Sequence, residues 1–297
     1  MNIWTLLNSL IKLIFGKPPV TNTTTTTSTK TEIPAGKTKI ALCMGINDYP
    51  GTNNDLQGCV NDAKDWAELL TNCYGFKDCK VLLNNAVTKN NVKNAMEKML
   101  TGSKAGDIMV ITYSGHGTSV VDSQNDEIDG KDEAICLYDG LLLDDEIRAI
   151  FDKLPKDVKL TFISDSCFSG SVTRSFLNAM NDFSFYSKPK YMPPKNDDEA
   201  LRLMMLPVLK SFAYSEKDMN HLLISGTDDK SYSYDANING KPAGAFSYYA
   251  IKILKETPKI TYNDFYKKLR TILPNSSYPQ VPQLEGSDTN KGAMMFE

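Results

Sequence analysis

Asp107-Ile108-Met109-Val110-Ile111-Thr112-Tyr113-Ser114-Gly115-His116-Gly117 starts as an apolar run and stops in small residues around one imidazole. Leu160-Thr161-Phe162-Ile163-Ser164-Asp165-Ser166-Cys167-Phe168-Ser169-Gly170 follows the same plan and stops around one thiol. Short apolar runs bounded by turn residues read as buried strands. Two strands are therefore expected to end in a His and a Cys. The chain has two histidines in all, so a base for a nucleophilic cysteine comes from a very short list.

Outward from these two runs the pattern repeats. Residues 39–46, 80–83, 158–163 and 222–225 read as further strands, with 107–113 between them. Apolar residues at helical spacing mark helices over 61–72 (Ala63, Trp66, Ala67, Leu70), from Thr88 through Met99, over 145–154, and near 243–254 and 262–273. Thr88 with Asn91 three positions on gives a weak capping pattern. Strands alternating with helices predict an α/β domain, a mostly parallel central sheet with helices on both faces. In such sheets sites gather beyond the carboxyl ends of the strands, where His116 and Cys167 fall.

Between residues 171 and 220 the alternation stops. That stretch, with Ser187-Lys188-Pro189-Lys190-Tyr191-Met192-Pro193, reads as a long exposed loop with a short helix near 199–209. Long loops inside compact domains are usually functional or disordered.

Composition narrows the function classes. A net charge of −3 and no block of Lys and Arg argue against a nucleic-acid partner. The six cysteines, Cys43, Cys59, Cys73, Cys79, Cys136 and Cys167, lack the spacing of a secreted disulfide framework. No CxxC pair is present, so a structural zinc site is not expected. Five of the six read as buried thiols in a reducing, cytoplasmic compartment.

The N-terminal end is separate. Residues 1–15 read as an amphipathic helix, with Ile3, Trp4, Leu6, Leu7, Leu10, Ile11, Leu13, Ile14 and Phe15 on a wide apolar face. It is too short to span a bilayer comfortably and has no clear signal-peptide plan. An interfacial membrane anchor and a helix that docks on a partner or on the domain both fit. The threonine-rich run 21–30 cannot bury enough surface to order itself, so 16–36 is expected to be a linker and 37–297 the folded domain.

A cysteine attacks a carbonyl best as its thiolate, and a neighbouring His stabilises that form and later protonates the leaving amine. Gly115 and Gly117 let the backbone approach a substrate, and the N–H groups of Cys167 and of the chain at Gly117 are candidate oxyanion donors. The plain alternative is a buried Cys and a loop His that never meet. Taken singly, neither motif decides between them.

Together, Tyr113-Ser114-Gly115-His116-Gly117 and Asp165-Ser166-Cys167-Phe168-Ser169-Gly170 resemble the catalytic motifs of the metacaspases and their prokaryotic relatives, within the caspase-like cysteine peptidases. Gly58-Cys59-Val60-Asn61-Asp62-Ala63, Asp129-Gly130-Lys131-Asp132-Glu133-Ala134-Ile135, Leu143-Asp144-Asp145-Glu146-Ile147, the stretch from Asn239 to Ser247 and Pro279-Gln280-Val281-Pro282-Gln283-Leu284 agree in order. The resemblance implies a caspase-like fold, p20-like over 37–170 and p10-like over 221–297, with an insertion at 171–220. It implies a catalytic dyad of His116 and Cys167, cleavage of proteins or peptides after Arg or Lys, and a monomer. It also implies a specificity pocket of Asp62, Asp165, Ser114 and Cys59, since a guanidinium or ammonium is paired best by carboxylate.

Many metacaspases need calcium. Asp132, Asp144 and Asp145 match three of the family's aspartates, and carboxylate oxygens suit Ca²⁺. The fourth position is Arg174, which would repel the ion, and the acidic run before Cys136 misses the EF-hand spacing. Calcium activation is therefore left open by the sequence. Phe168 stands where the family commonly has His, a change expected to act on the pocket rather than on the base.

A protease selective for basic residues has sites in its own mid-chain loop, at Arg174, Lys188, Lys190, Lys195, Arg202 and Lys210, and near the linker at Lys30 and Lys37. Self-processing is expected there, against the reading of solvated loop charges. Two rival functions are a catalytically silent caspase-like binding module and a membrane-associated effector acting through residues 3–15.

Overall fold

Each central strand places alternate residues on opposite faces of one sheet, the period-two rule of a pleated strand. Ala41 and Cys43 of β1 (Lys39–Gly45) join one core, while Leu42 and Met44 join the other. The same division runs through β3 (Ile108–Ser114), with Ile108 and Val110 on one side and Met109 and Ile111 on the other. Such strands are buried on both faces, which is why they read as continuous apolar runs.

This computed structural model describes residues 37–121, 131–167, 187–193, 219–228 and 231–297. The expected N-terminal helix and linker, the helix near 199–209, Phe168 and Arg174 lie outside the described residues. Among those described, no helix is long and apolar enough to cross a membrane.

The central sheet has six strands in the order β12-β9-β7-β3-β1-β2, adding β2 (Asp78–Leu83), β7 (Lys159–Asp165), β9 (Leu222–Ser225) and β12 (Gln283–Glu285). Only the β12–β9 pair is antiparallel. One face packs α1 (Cys59–Tyr74), α4 (Ala245–Glu256) and α5 (Tyr262–Arg270). The other packs α2 (Lys89–Thr101) and α3 (Asp144–Phe151). The expected α/β class holds, and Thr88 caps α2 by accepting from the Asn91 N–H at 3.3 Å.

Two small antiparallel sheets were not expected. One is β4 (Gly117–Val121), β5 (Lys131–Leu137) and β6 (Gly140–Leu143). The other is β8 (Ser187–Pro189), β10 (Tyr234–Ile238) and β11 (Lys241–Gly244). The β10–β11 turn is Asn239-Gly240, both at positive φ, 54° and 82°. That pair favours a tight hairpin turn matched to strand twist.

β8 corrects the reading of the mid-chain segment as an exposed loop. Pro189, Lys190 and Tyr191 are buried, and the segment pairs antiparallel with β10. A second correction concerns the cysteines. No disulfide joins them, but Cys73 is exposed and Cys79 half-buried.

Candidate active site

Parallel pairing sets the site. Gly45 is the Cα partner of Ser114, and Ser114 that of Asp165, so β1, β3 and β7 end side by side. The chain leaves β3 into His116 and β7 into Cys167, both almost fully buried. α1 begins beside them and carries Asp62 in its first turn, where the helix dipole favours negative charge.

Asp62, Ser114 and Asp165 converge as the sequence predicted, and a side chain fills the space between them. Lys190 Nζ lies 3.2 Å from Asp62 Oδ2, 3.1 Å from Asp165 Oδ2 and 2.8 Å from Ser114 Oγ. Lys190 is 0% exposed. Burial pushes its pKa down, but Asp165, Cys59, Asp62 and Asp235 more than offset this and hold the ammonium well above its usual range. Burial raises Asp62 to about 6 against the pull of Lys190. Cys59 is held by burial well above its ordinary value, beside Lys190 and Ser114.

Residues between Ser233 and Ser247 brace these carboxylates. The Gly244 N–H reaches both oxygens of Asp62 at 2.9 Å, and the Ser247 N–H and hydroxyl donate to Asp165 Oδ2 at 3.0 and 2.6 Å. The Ser233 hydroxyl donates to the other Asp165 oxygen. A Cβ at Gly244 would collide with Asp62, Asp165 and the Lys190 ammonium, so glycine is required there. Asp235 accepts from the Gln57 and Gly58 N–H groups and fastens the start of α1 to β10.

The main chain of Lys190 completes the arrangement. Its carbonyl accepts from the Cys167 N–H at 3.2 Å and from the Gly117 N–H at 3.0 Å, the two donors expected for an oxyanion. Its N–H donates to Ser233 O at 2.8 Å, and the Met192 N–H donates to Gly117 O at 3.0 Å. Tyr191 forms a bridge with Gly117 and packs beside Cys167. Residues 187–192 thus lie across the site as an added strand, the manner in which extended peptides bind sheet edges.

Cys167 Sγ accepts the Ser233 N–H at 2.8 Å and lies 3.3 Å from Ser233 O. Burial pushes the thiol well up. His116 Nε2 is 2.6 Å from Asn54 O. A carbonyl only accepts, so Nε2 carries the proton and Nδ1 keeps its lone pair. Nδ1 has no hydrogen-bond partner among the described residues. Burial lowers His116 to about 4, with the Asn54 carbonyl pulling the other way. Tyr49 packs its ring 4.9 Å from the imidazole and accepts the His116 N–H at 2.8 Å.

The three candidate metal ligands do not converge in this way. Arg148 pairs with Asp144 at 2.9 Å and with Asp145 at 2.7 Å, while Asp132 is buried on β5. Among the described residues, no group of three His, Cys, Asp or Glu is placed to hold a metal. No chemical step is assigned to the ion.

Over residues 39–175 the sequence matches the family profile described as metacaspase, peptidase C14 domain. It is 30% identical to Metacaspase-1 of Schizosaccharomyces pombe over 292 residues, covering 85% of this chain and 68% of that one. The chain belongs to the metacaspases. Metacaspase-1 of Arabidopsis thaliana is 32% identical over 260 residues, with 82% and 66% covered. A crystal structure of a Geobacter sulfurreducens protein superposes with a TM-score of 0.68 at 28% identity, covering 87% of this chain and 98% of that one. Caspase-1 of Spodoptera frugiperda gives 0.55 at 13% identity, with 84% and 87% covered, a likeness of fold alone. This metacaspase is a cysteine-type peptidase, and its substrates are proteins or peptides.

Asp62, Ser114, Asp165, Cys167 and Gly117, all singled out from the sequence, lie together around Lys190. Sequence reasoning missed Asn54, Tyr49, Ser233 and Asp235. Lys190 was named only as one of several basic residues, and nothing in Ser187-Lys188-Pro189-Lys190 signals which lysine enters the pocket.

Proposed function

We propose that this metacaspase cleaves peptide bonds after Lys or Arg by a Cys167–His116 dyad, and that its first substrate is its own Lys190–Tyr191 bond. The observation that carries this is Lys190 itself. Its ammonium occupies a pocket of Asp62, Asp165 and Ser114 while its carbonyl accepts from Cys167 and Gly117. A basic side chain in the pocket and the adjacent carbonyl in an oxyanion cradle are what hydrolysis after a basic residue requires.

The Cys167 thiol and the His116 imidazole begin uncharged. Burial keeps the thiol protonated and the imidazole neutral, with the lone pair on Nδ1. Attack therefore passes the thiol proton to Nδ1 as Sγ bonds to the Lys190 carbonyl carbon. The oxyanion is held by the Cys167 and Gly117 N–H groups. Collapse breaks the C–N bond, and the imidazolium gives its proton to the Tyr191 amine. Water then hydrolyses the thioester, returning the thiol and leaving a carboxylate on Lys190.

Arginine fits the same pocket, because two carboxylates flank it and a guanidinium pairs with both. The test is a set of fluorogenic peptide amides ending in Lys, Arg or Asp, with Cys167→Ala as the control. Turnover of the Lys and Arg peptides alone supports the reading. Turnover of the Asp peptide, or none of any from folded protein, overturns it.

A further inference from the structure

The occupant makes a second charged contact. Lys188, the third residue before the Lys190–Tyr191 bond, places Nζ 3.0 Å from Asn53 O and 2.9 Å from Asp55 O. The carbonyl between those two, on Asn54, holds His116 Nε2 at 2.6 Å. Three successive carbonyls, at the end of the 3₁₀ turn Thr52–Asn54 and just past it, thus divide their work. The outer two take the substrate-like ammonium and the middle one takes the catalytic imidazole.

The same loop reaches His116 by a second route. Asp55 Oδ1 accepts the Tyr49 N–H at 3.2 Å, and the Tyr49 hydroxyl accepts the His116 N–H. Asn53 and Asp55 are exposed and Asn54 half-buried. A turn of this kind has several orientations open to its peptide planes unless something pins them. An ammonium that accepts no hydrogen bonds but donates three suits two carbonyls. Lys188 also lies opposite Asp235 in the β8–β10 register, which favours a cation at this place.

Resting on the peptidase reading above, we infer that a basic residue at the third position before the cleaved bond positions the catalytic base as well as binding the substrate. By gripping Asn53 O and Asp55 O it fixes the aim of the Asn54 carbonyl, and so the Nε2–H tautomer and ring orientation of His116. Substrates with Lys or Arg there gain in kcat and not merely in affinity.

Two measurements test this. The first needs no turnover. In full-length Cys167→Ala protein carrying His221→Asn, His116 is the one imidazole, and its ¹⁵N shifts report the tautomer. Lys188 and Lys188→Arg are expected to give Nε2–H alone, and Lys188→Met a mixture of tautomers. The same single tautomer in all three overturns the inference. The second uses peptide amides Ser-Lys-Pro-Lys, Ser-Arg-Pro-Lys and Ser-norleucine-Pro-Lys on full-length protein carrying both Lys188→Met and Lys190→Gln, so that no lysine of the chain itself holds the loop. Norleucine keeps the length and removes the charge. It is expected to lower kcat about tenfold with Arg near Lys, as a misdirected catalytic group does. A change in KM alone, or equal kcat for all three, overturns it. Absence of any turnover counts against the peptidase reading, and the tautomer measurement then decides this one.

Discussion

The carbonyl of Lys190 accepts a hydrogen bond from the Cys167 N–H at 3.2 Å. That contact sets the Lys190 carbonyl against Cys167, while the side chain of the same residue is anchored by Asp62 and Asp165. Main-chain and side-chain contacts come from different parts of the chain, β4, β7, α1 and the p10-like hairpin, yet they agree on one residue. The chain is folded around a segment of itself.

The pocket carboxylates are expected to dominate specificity. Asp62→Asn and Asp165→Asn each remove one charge from a buried cluster. Losing one partner of a buried, hydrogen-bonded charge pair costs about 2–5 kcal/mol. Turnover of a lysyl peptide amide should therefore fall by on the order of 30-fold or more in each variant. An equal rate in either would remove that residue from the pocket.

Tyr49→Phe keeps the ring against His116 and removes the hydroxyl that accepts the His116 N–H. A lost buried hydrogen bond leaves an unsatisfied N–H at a cost of about 1–3 kcal/mol. The expected result is a lower kcat with little change in KM, read by steady-state kinetics. Unchanged kcat would make Tyr49 a packing residue alone.

His116 also makes stability depend on pH. Burial depresses its folded pKa to about 4, below the 6.5 of an unperturbed imidazole. Between these values the unfolded chain binds a proton that the folded chain refuses. Stability is therefore complete above pH 6.5 and is lost as pH falls towards 4, by about 3 kcal/mol at most. His221 is shifted the same way, so the comparison belongs in a Cys167→Ala, His221→Asn background. Urea unfolding at pH 7 and pH 4.5 should show that His116→Asn removes this part of the acid loss. An identical loss in the variant would contradict it.

How much of this was legible in the sequence follows from the physics of each element. The central strands were readable because both faces are buried, as in Ile108–Ser114. The helices were readable because Ala63, Trp66 and Leu70 recur on one face of α1. The small sheets were not. β11 reads Lys-Pro-Ala-Gly and β8 is three residues long, so neither carries a period. His116 and Cys167 were legible as a His and a Cys after two predicted strands, while Asp62, Asp165 and Ser114 were singled out by the family resemblance alone. Asn54 acts through a backbone carbonyl, which no residue type announces. Lys190 looks in sequence like the lysines around it, and only the fold selects it.

Arg148 is expected to oppose calcium. Its guanidinium pairs with both Asp144 and Asp145, two of the three aspartates that the family resemblance offers as calcium ligands. Calcium reaching them must displace that cation. Arg148→Gln should move the calcium response of peptide turnover to lower concentration. Superimposable titrations of the two proteins would separate these aspartates from any calcium effect.

The central claim is that Lys190 is held as a substrate. The direct measurement is intact-mass and N-terminal analysis of purified full-length protein after incubation, beside Cys167→Ala and Lys190→Gln. The account predicts a fragment beginning at Tyr191 in the wild type, and no such fragment in either variant. A wild type that stays whole under every condition in which it turns over peptides, or a Tyr191 fragment that forms equally in Cys167→Ala, would contradict it.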